Sequence, residues 1–310
     1  MQRMNRRSFI GASVAATLSA AAKPIQAADS AFPFQPNAPQ AARSINPIGL
    51  QLYTVRAAMK TDFAGTIAKV AATGYKEVEF AGYFDHSPKD VRELLDKNGL
   101  VSPSCHVDYP TVENKWPETL EAAKIVGHSY IICPWIDEKQ RAEAGGWKRA
   151  ADLFNKAGEE SKKAGIQFGY HNHSFEFQES KSLGGKLPYD FLLAETDPKL
   201  VAMEMDLCWI TVAGKDPIAY FDKYPGRFPL VHVKDYVNDP HSTSSYSGAT
   251  GSVKFEGHLA DVGQGSINWK NLFANDGKAG IKHYFVENDD PKSAFDDIKI
   301  SYNFLRDLRF

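Results

Sequence analysis

The sequence predicts a single (β/α)8 barrel of the α/β class, running from residue 47 to residue 310. Two observations predict it and a third removes its nearest rival. Short apolar, β-rich runs alternate with amphipathic stretches over the whole of that span, the order that builds a parallel sheet jacketed by helices. Eight strand–helix units can be laid out in it. No glycine-rich loop follows the first strand, which argues against a doubly wound dinucleotide-binding sheet. Nothing suggests a second domain or an internal repeat.

The strands are expected at Ile48–Tyr53, Glu77–Phe80, Pro103–His106, Tyr130–Cys133, Gln167–His171, Ala202–Asp206, Leu230–Lys234 and His283–Glu287. Runs of this length, bounded by turn residues, read as buried parallel strands. The helices between them are expected at Phe63–Ala72, Pro88–Asn98, Pro117–Val126, Trp147–Ala164, Tyr189–Glu195, Pro217–Tyr224, Trp269–Phe273 and Ala294–Phe310. Ser87-Pro88-Lys89-Asp90 and Asp216-Pro217 place a cap before a first-turn proline. Gly74, Gly99 and Gly165 close helices. The connection from Tyr236 to Ser266 is long for a compact domain and is expected to cap a site. Its end, Gly263-Gln264-Gly265, could offer backbone amides to an anion, though two glycines do not define a phosphate site.

The first residues read as an export signal. Asn5-Arg6-Arg7-Ser8-Phe9 has the twin-arginine pattern, an Ala-rich apolar stretch follows to Ala22, and Ile25-Gln26-Ala27 suits a signal peptidase. Residues 1–27 are therefore expected to direct export of the folded protein to the periplasm, and 28–46 to form a proline-bearing tether. The apolar stretch is too short and too rich in small polar residues for a membrane span, so no stable membrane anchor is expected. A formal charge of −2 with dispersed basic residues excludes the basic footprint of a nucleic-acid binder. Cys105, Cys133 and Cys208 form no metal motif and read as small buried hydrophobes. A homo-oligomer stays open.

Three apolar runs end on metal-capable residues: Ala202-Met203-Glu204-Met205-Asp206, Leu230-Val231-His232-Val233-Lys234-Asp235 and His283-Tyr284-Phe285-Val286-Glu287. In one barrel, Asp206, His232 and Glu287 converge on one mouth, a donor set suited to a divalent ion. Lys234, two residues after His232, leans to the same interior. It either holds a substrate oxygen or pairs with Asp206 or Glu204. Asp235 points away and is expected to fix the following loop. Trp135 and Trp209 could form an apolar wall, and His86, His128, His241 and His258 read as surface or loop residues.

The ordered set Gly49-Leu50-Gln51-Leu52-Tyr53, Gly74-Tyr75-Lys76-Glu77-Val78-Glu79, Tyr170-His171-Asn172-His173, Met205-Asp206, His232-Val233-Lys234-Asp235, Gly263-Gln264-Gly265 and Val286-Glu287 resembles the sugar phosphate isomerase/epimerase family of xylose isomerase-like barrels. That resemblance covers the chain beyond the tether. It implies one divalent metal, Mn, Co, Zn or Fe, held at the ends of strands five to eight. Carried over, the ligands are Asp206, His232 and Glu287, with His171 first choice on strand five and His173 beside it. It also implies that Glu79 and His106 face substrate, or else orient a ligand by hydrogen bonding. His173 and Trp209 are further substrate candidates, Glu176 offers a carboxylate to metal or substrate, and Gln51, Tyr53 and Arg56 are weaker expectations. Catalysis falls to Glu287, Lys234 and His171. The chain departs from the epimerases in two places: a histidine replaces the strand-five glutamate, and Trp209 stands where a companion histidine would follow the aspartate. Two-glutamate epimerisation is thereby weakened.

The reading is a metal-dependent sugar isomerase or epimerase that enolises a carbohydrate next to its carbonyl. The alternatives are a keto-sugar or keto-glycoside lyase or dehydratase, and a non-catalytic periplasmic carbohydrate-binding barrel. An endonuclease IV-like nuclease would need more metal ligands and a basic groove.

Overall fold

The computed structural model describes residues 42–239 and 255–310. Eight parallel strands close into a barrel. They are β1 (Gly49–Gln51), β2 (Glu77–Phe80), β3 (Val101–His106), β4 (Tyr130–Cys133), β5 (Gln167–His171), β6 (Val201–Asp206), β7 (Leu230–Val233) and β10 (His283–Val286). Between β7 and β10 lies an antiparallel hairpin, β8 (Asp235–Asn238) and β9 (Gly257–Ala260). β1 closes the ring by pairing with both β2 and β10, Gly49 opposite Glu77 and Phe285. Gly49 is required there, because a Cβ would lie 2.6 Å from the Phe285 ring.

Strand alternation divides the apolar residues into two populations. Leu50, Val78, Ile131, Phe168, Met203, Val231 and Val286 join the helices in one continuous core. Tyr130, Ile132, Leu230 and Phe285 form a separate cluster inside the barrel. The polar residues of the strands share the parity of this second set, so the interior is apolar below and charged above.

Helices start and stop as their ends dictate. The Ser87 hydroxyl accepts from the Asp90 amide (3.2 Å), and Asp216 accepts from that of Ile218 (2.9 Å). Gly99, at φ +63°, ends the helix Pro88–Asn98. The chain is tied to the barrel before residue 46: Arg43 exchanges two backbone hydrogen bonds with Phe310 and its side chain pairs with Asp276 at 2.7 Å. Residues 1–27 and most of the expected tether lie outside the described residues. Among the described residues no helix is long and apolar enough to cross a membrane.

The hairpin was not expected from the sequence, since its strands are short and separated by many residues. Asp235 secures it, as its position predicts. It is fully buried and accepts from the amides of Tyr236, Gly263, Gly265 and Ile267 and from the Trp269 indole. The anion served by the glycine amides is therefore the protein's own carboxylate. None of the described residues of this connection lines the main cavity, and residues 240–254, with His241, lie outside the described residues.

Candidate metal centre

The upper half of the barrel interior is a closely linked set of charges. β6 contributes Glu204 and Asp206, β7 His232 followed by Lys234, β10 is followed by Glu287 and Asp289, and β2, β3 and β5 supply Glu79, His106 and His171. Glu79, Glu204, Asp206, His232 and Lys234 are essentially inaccessible, and His171 is nearly so. Burying ions at this density is costly unless each finds a counter-charge.

The set has two centres that share His232. At the inner one, Glu204 Oε2 lies 2.7 Å from His106 Nε2, 3.0 Å from His171 Nδ1 and 3.3 Å from His232 Nε2. Glu79 Oε2 lies 2.7 Å from His232 Nε2 and 3.2 Å from His106 Nε2, and also accepts from Gln51. His106, His171, Glu204 and His232 offer ligand atoms within 4.8 Å of one another. At the outer centre, Asp206, His232 and Glu287 are similarly close. There the Lys234 ammonium reaches Asp206 Oδ2 (3.0 Å), Glu287 Oε2 (2.8 Å) and Asp289 Oδ2 (2.7 Å).

The electrostatics follow from that wiring. Burial pushes the Glu204 carboxyl up to about 7, and the charge of Glu79 pushes the same way. Burial opposes ionisation of Glu79 too, yet His106 and His232 hold it well below the usual carboxylate range. The residues fit a divalent ion on a geometric ground. Glu79 Oε1 and Glu204 Oε1 are buried and make no hydrogen bond within the described structure.

A cavity of about 470 Å³ opens above these groups. His106, His171 and His173 line it, facing Glu287 and Asp289, with Tyr53, Pro134 and Trp135 among its less polar walls. His173 packs edge-on against Trp135, ring centroids 5.0 Å apart, and its Nδ1 has no hydrogen-bond partner among the described residues. Arg56, stacked 4.0 Å from the Tyr53 ring, holds the backbone carbonyl of Asp289 at 2.9 Å.

Sequence reasoning named most of this set but misplaced several members. Glu79 lies in the floor beneath His106 and His232, not on the cavity wall. Glu176 accepts from the Tyr170 hydroxyl (2.6 Å) and the His173 amide (2.8 Å), so its carboxylate serves the strand-five turn. Trp209 is buried with its ring 5.2 Å from the Lys234 ammonium, and Trp135 alone of the two tryptophans faces the cavity. His128, expected at the surface, is buried between the Tyr83 hydroxyl and the Ser102 carbonyl. Burial of that imidazole pushes it down to about 4. Lys234 pairs with Asp206 as one alternative held, and with Glu287 and Asp289 rather than Glu204. Asp289 was missed, and Glu204 was read only as an ion-pair partner. Both stand two residues from a named ligand, the spacing that returns a strand side chain to the same face. The three cysteines are buried and free, as expected.

The closed ring of eight parallel strands makes the chain a (β/α)8 barrel protein. The chain belongs to the xylose isomerase-like TIM barrel family, whose pattern matches residues 67–307. Among curated relatives, an inosose dehydratase of Lacticaseibacillus casei is 24% identical over 193 residues, 56% of this chain and 63% of that protein. The match thus spans under two thirds of that relative. An inosose dehydratase of Geobacillus thermodenitrificans is 23% identical over 246 residues, covering 72% of this chain and 80% of its own length. Among solved structures, a sugar phosphate isomerase/epimerase of Parabacteroides distasonis superposes with a TM-score of 0.68 at 26% identity, over 84% of this chain and 93% of the other.

Proposed function

We propose that this protein is a metal-dependent enzyme that removes a proton next to the carbonyl of a keto-sugar or related polyol and expels the neighbouring hydroxyl as water. The observation that carries the reading is the one-sided distribution of carboxylates around the cavity. Glu287 and Asp289 follow β10, while β5 and the connections after β4 and β5 present His171, His173 and Trp135. Asp108, the remaining acid of the lining, is exposed and caps the helix Tyr109–Asn114. Epimerisation by two carboxylates needs an acid on each face of the sugar, and here one face has imidazoles in that place. One wall of acids suits elimination, and the dehydratase names of the curated relatives agree with it.

The donors that fit an ion are His106, His171, His232 and Glu204. When bound, a divalent ion would polarise the carbonyl and make the adjacent C–H more acidic. The remaining work belongs to the chain. Asp289, steered by Lys234 and by the hold of Arg56 on its backbone, can accept the proton. The same acid can return that proton to the departing hydroxyl, so the balance is one water lost and no net acid consumed. Lys234 supplies fixed positive charge beside the developing enolate, and Glu287 orients His232 through Nδ1 at 2.8 Å. The twin-arginine pattern of residues 5–9 supports a site of action in the periplasm and hence a free, unphosphorylated carbohydrate.

The test is nuclear magnetic resonance of keto-inositols and keto-sugars incubated with the Mn-reconstituted protein in D2O. Loss of the β-hydroxyl with formation of an enone or its dione tautomer is expected. Inversion at the exchanging carbon with every hydroxyl retained would replace dehydration by epimerisation. Absence of exchange across the panel would reject proton abstraction altogether.

A further inference from the structure

The inner and outer centres differ in how their donors are already committed. Asp206 Oδ1 caps the helix Leu207–Val212, accepting from the amides of Cys208 (2.9 Å) and Trp209 (2.8 Å). Its Oδ2 faces the Lys234 ammonium, as do one oxygen each of Glu287 and Asp289. The outer carboxylates thus already enclose a cation, and it is covalently part of the chain.

The inner donors include no lysine or arginine and face chiefly one another, with the Gln51 amide donating to Glu79 Oε2 at 2.7 Å. Three imidazole nitrogens from β3, β5 and β7 face two carboxylate oxygens from β2 and β6, at separations of 2.7 to 3.3 Å. A metal ion holding nitrogen and oxygen at about 2.0–2.2 Å sets neighbouring octahedral ligands roughly 2.8–3.1 Å apart. Hydrogen bonds alone explain the group poorly. His106 Nε2 and His232 Nε2 each face both Glu79 and Glu204, and one N–H cannot point well at two oxygens. The other nitrogen of His232 is bonded to Glu287, the carboxylate–imidazole arrangement that fixes a metal-binding tautomer.

We infer that the ion is confined to the inner centre, with Glu79 as a fifth ligand beside His106, His171, Glu204 and His232, and that the Lys234 ammonium replaces an ion at the outer centre. Glu287 and Asp206 are then positioning carboxylates, one for His232 and Lys234, the other for Lys234. This rests on the metal-dependent reading above but does not depend on the reaction.

The experiment is Mn2+ titration followed by elemental analysis of the full chain and its E79Q, D206N and K234M variants, with melting curves to establish folding. The wild type and D206N should each retain one equivalent, and E79Q should bind at least tenfold more weakly. K234M should take up a second, weaker equivalent, since it leaves three carboxylates without their ammonium. If E79Q melts early, H106Q takes its place. Loss of the ion from D206N, or wild-type affinity in E79Q, would overturn the inner assignment while leaving metal dependence standing. A single equivalent in K234M would overturn the replacement by lysine. No ion in any sample, the reconstituted wild type included, would instead remove the metal-dependent reading itself.

Discussion

The two halves of the barrel interior use the same strands for opposite ends. Below, Tyr130, Ile132, Leu230 and Phe285 fill the space with hydrocarbon and aromatic rings. Above, Glu79, Glu204, Asp206, His232 and Lys234 fill a layer of similar depth with charge. Along β10 and its extension the change takes two residues, from Phe285 to Glu287. The lower layer gains from being out of water. The upper layer pays desolvation throughout and recovers it through ion pairs at 2.7–3.3 Å. A layer kept at that cost has a use other than holding the fold together, and its opening to the cavity says where that use lies.

The sharpest way to break this division is to change those two residues separately. Glu287→Gln should lower kcat about 1000-fold, roughly 4 kcal/mol of barrier, because the carboxylate bonds both His232 and Lys234. Its fold should persist, with far-ultraviolet circular dichroism unchanged. Phe285→Ala should instead cost about 3–5 kcal/mol of stability in a denaturant titration, while the folded fraction turns over within a few-fold of wild type. A large activity loss per folded molecule in Phe285→Ala would show that the lower layer also shapes the site.

The barrel was legible because its signals are local. Period-two strands, capped helices and closing glycines each sit within a few residues, and β2, β4 and β5 fall where the pattern puts them. The outer centre was legible for a related reason, since Asp206, His232 and Glu287 end consecutive barrel strands. The inner centre was harder. Glu79 and His106 come from the paired strands β2 and β3, but Glu204 comes from β6, and only closure of the ring brings it across the interior to them. Two errors share one cause. Glu176 and His128 carry polar groups that sequence assigns to substrate or solvent, whereas each is spent inside the protein on partners as distant as Ser102 from His128.

Glu176 also allows buried charge that serves packing to be separated from charge that serves chemistry. Burial raises its carboxyl to about 7 from 4.5, although the Tyr170 hydroxyl and the His173 amide favour the ionised form. The native state therefore binds this proton more tightly than the unfolded chain. Its contribution is complete below about pH 4.5 and is lost as pH climbs to about 7. Over that window Glu176→Gln should remove roughly 2–3 kcal/mol of pH-dependent stability. The variant should gain on the wild type between pH 5 and pH 8, as seen in denaturation midpoints at the two values. Equal midpoint differences at both would place the ionised form in a better-solvated setting than its burial implies.

The smallest expected effect tests the wall that neither layer owns. Trp135 faces the cavity, packs edge-on against His173 and Phe175, and has the Arg141 guanidinium 5.2 Å from its ring centroid. Among the described residues it makes no ion pair or hydrogen bond with the charged groups of the two centres, so its direct part is to offer an apolar face to a bound ring. Trp135→Ala should therefore raise KM about tenfold, near 1.4 kcal/mol, and leave kcat within about twofold. A matching fall in kcat would mean that Trp135 also holds His173 in place and that His173 acts in the chemical step. Trp135→Phe decides between these outcomes, because it keeps an aromatic edge for the imidazole and surrenders much of the face offered to a sugar.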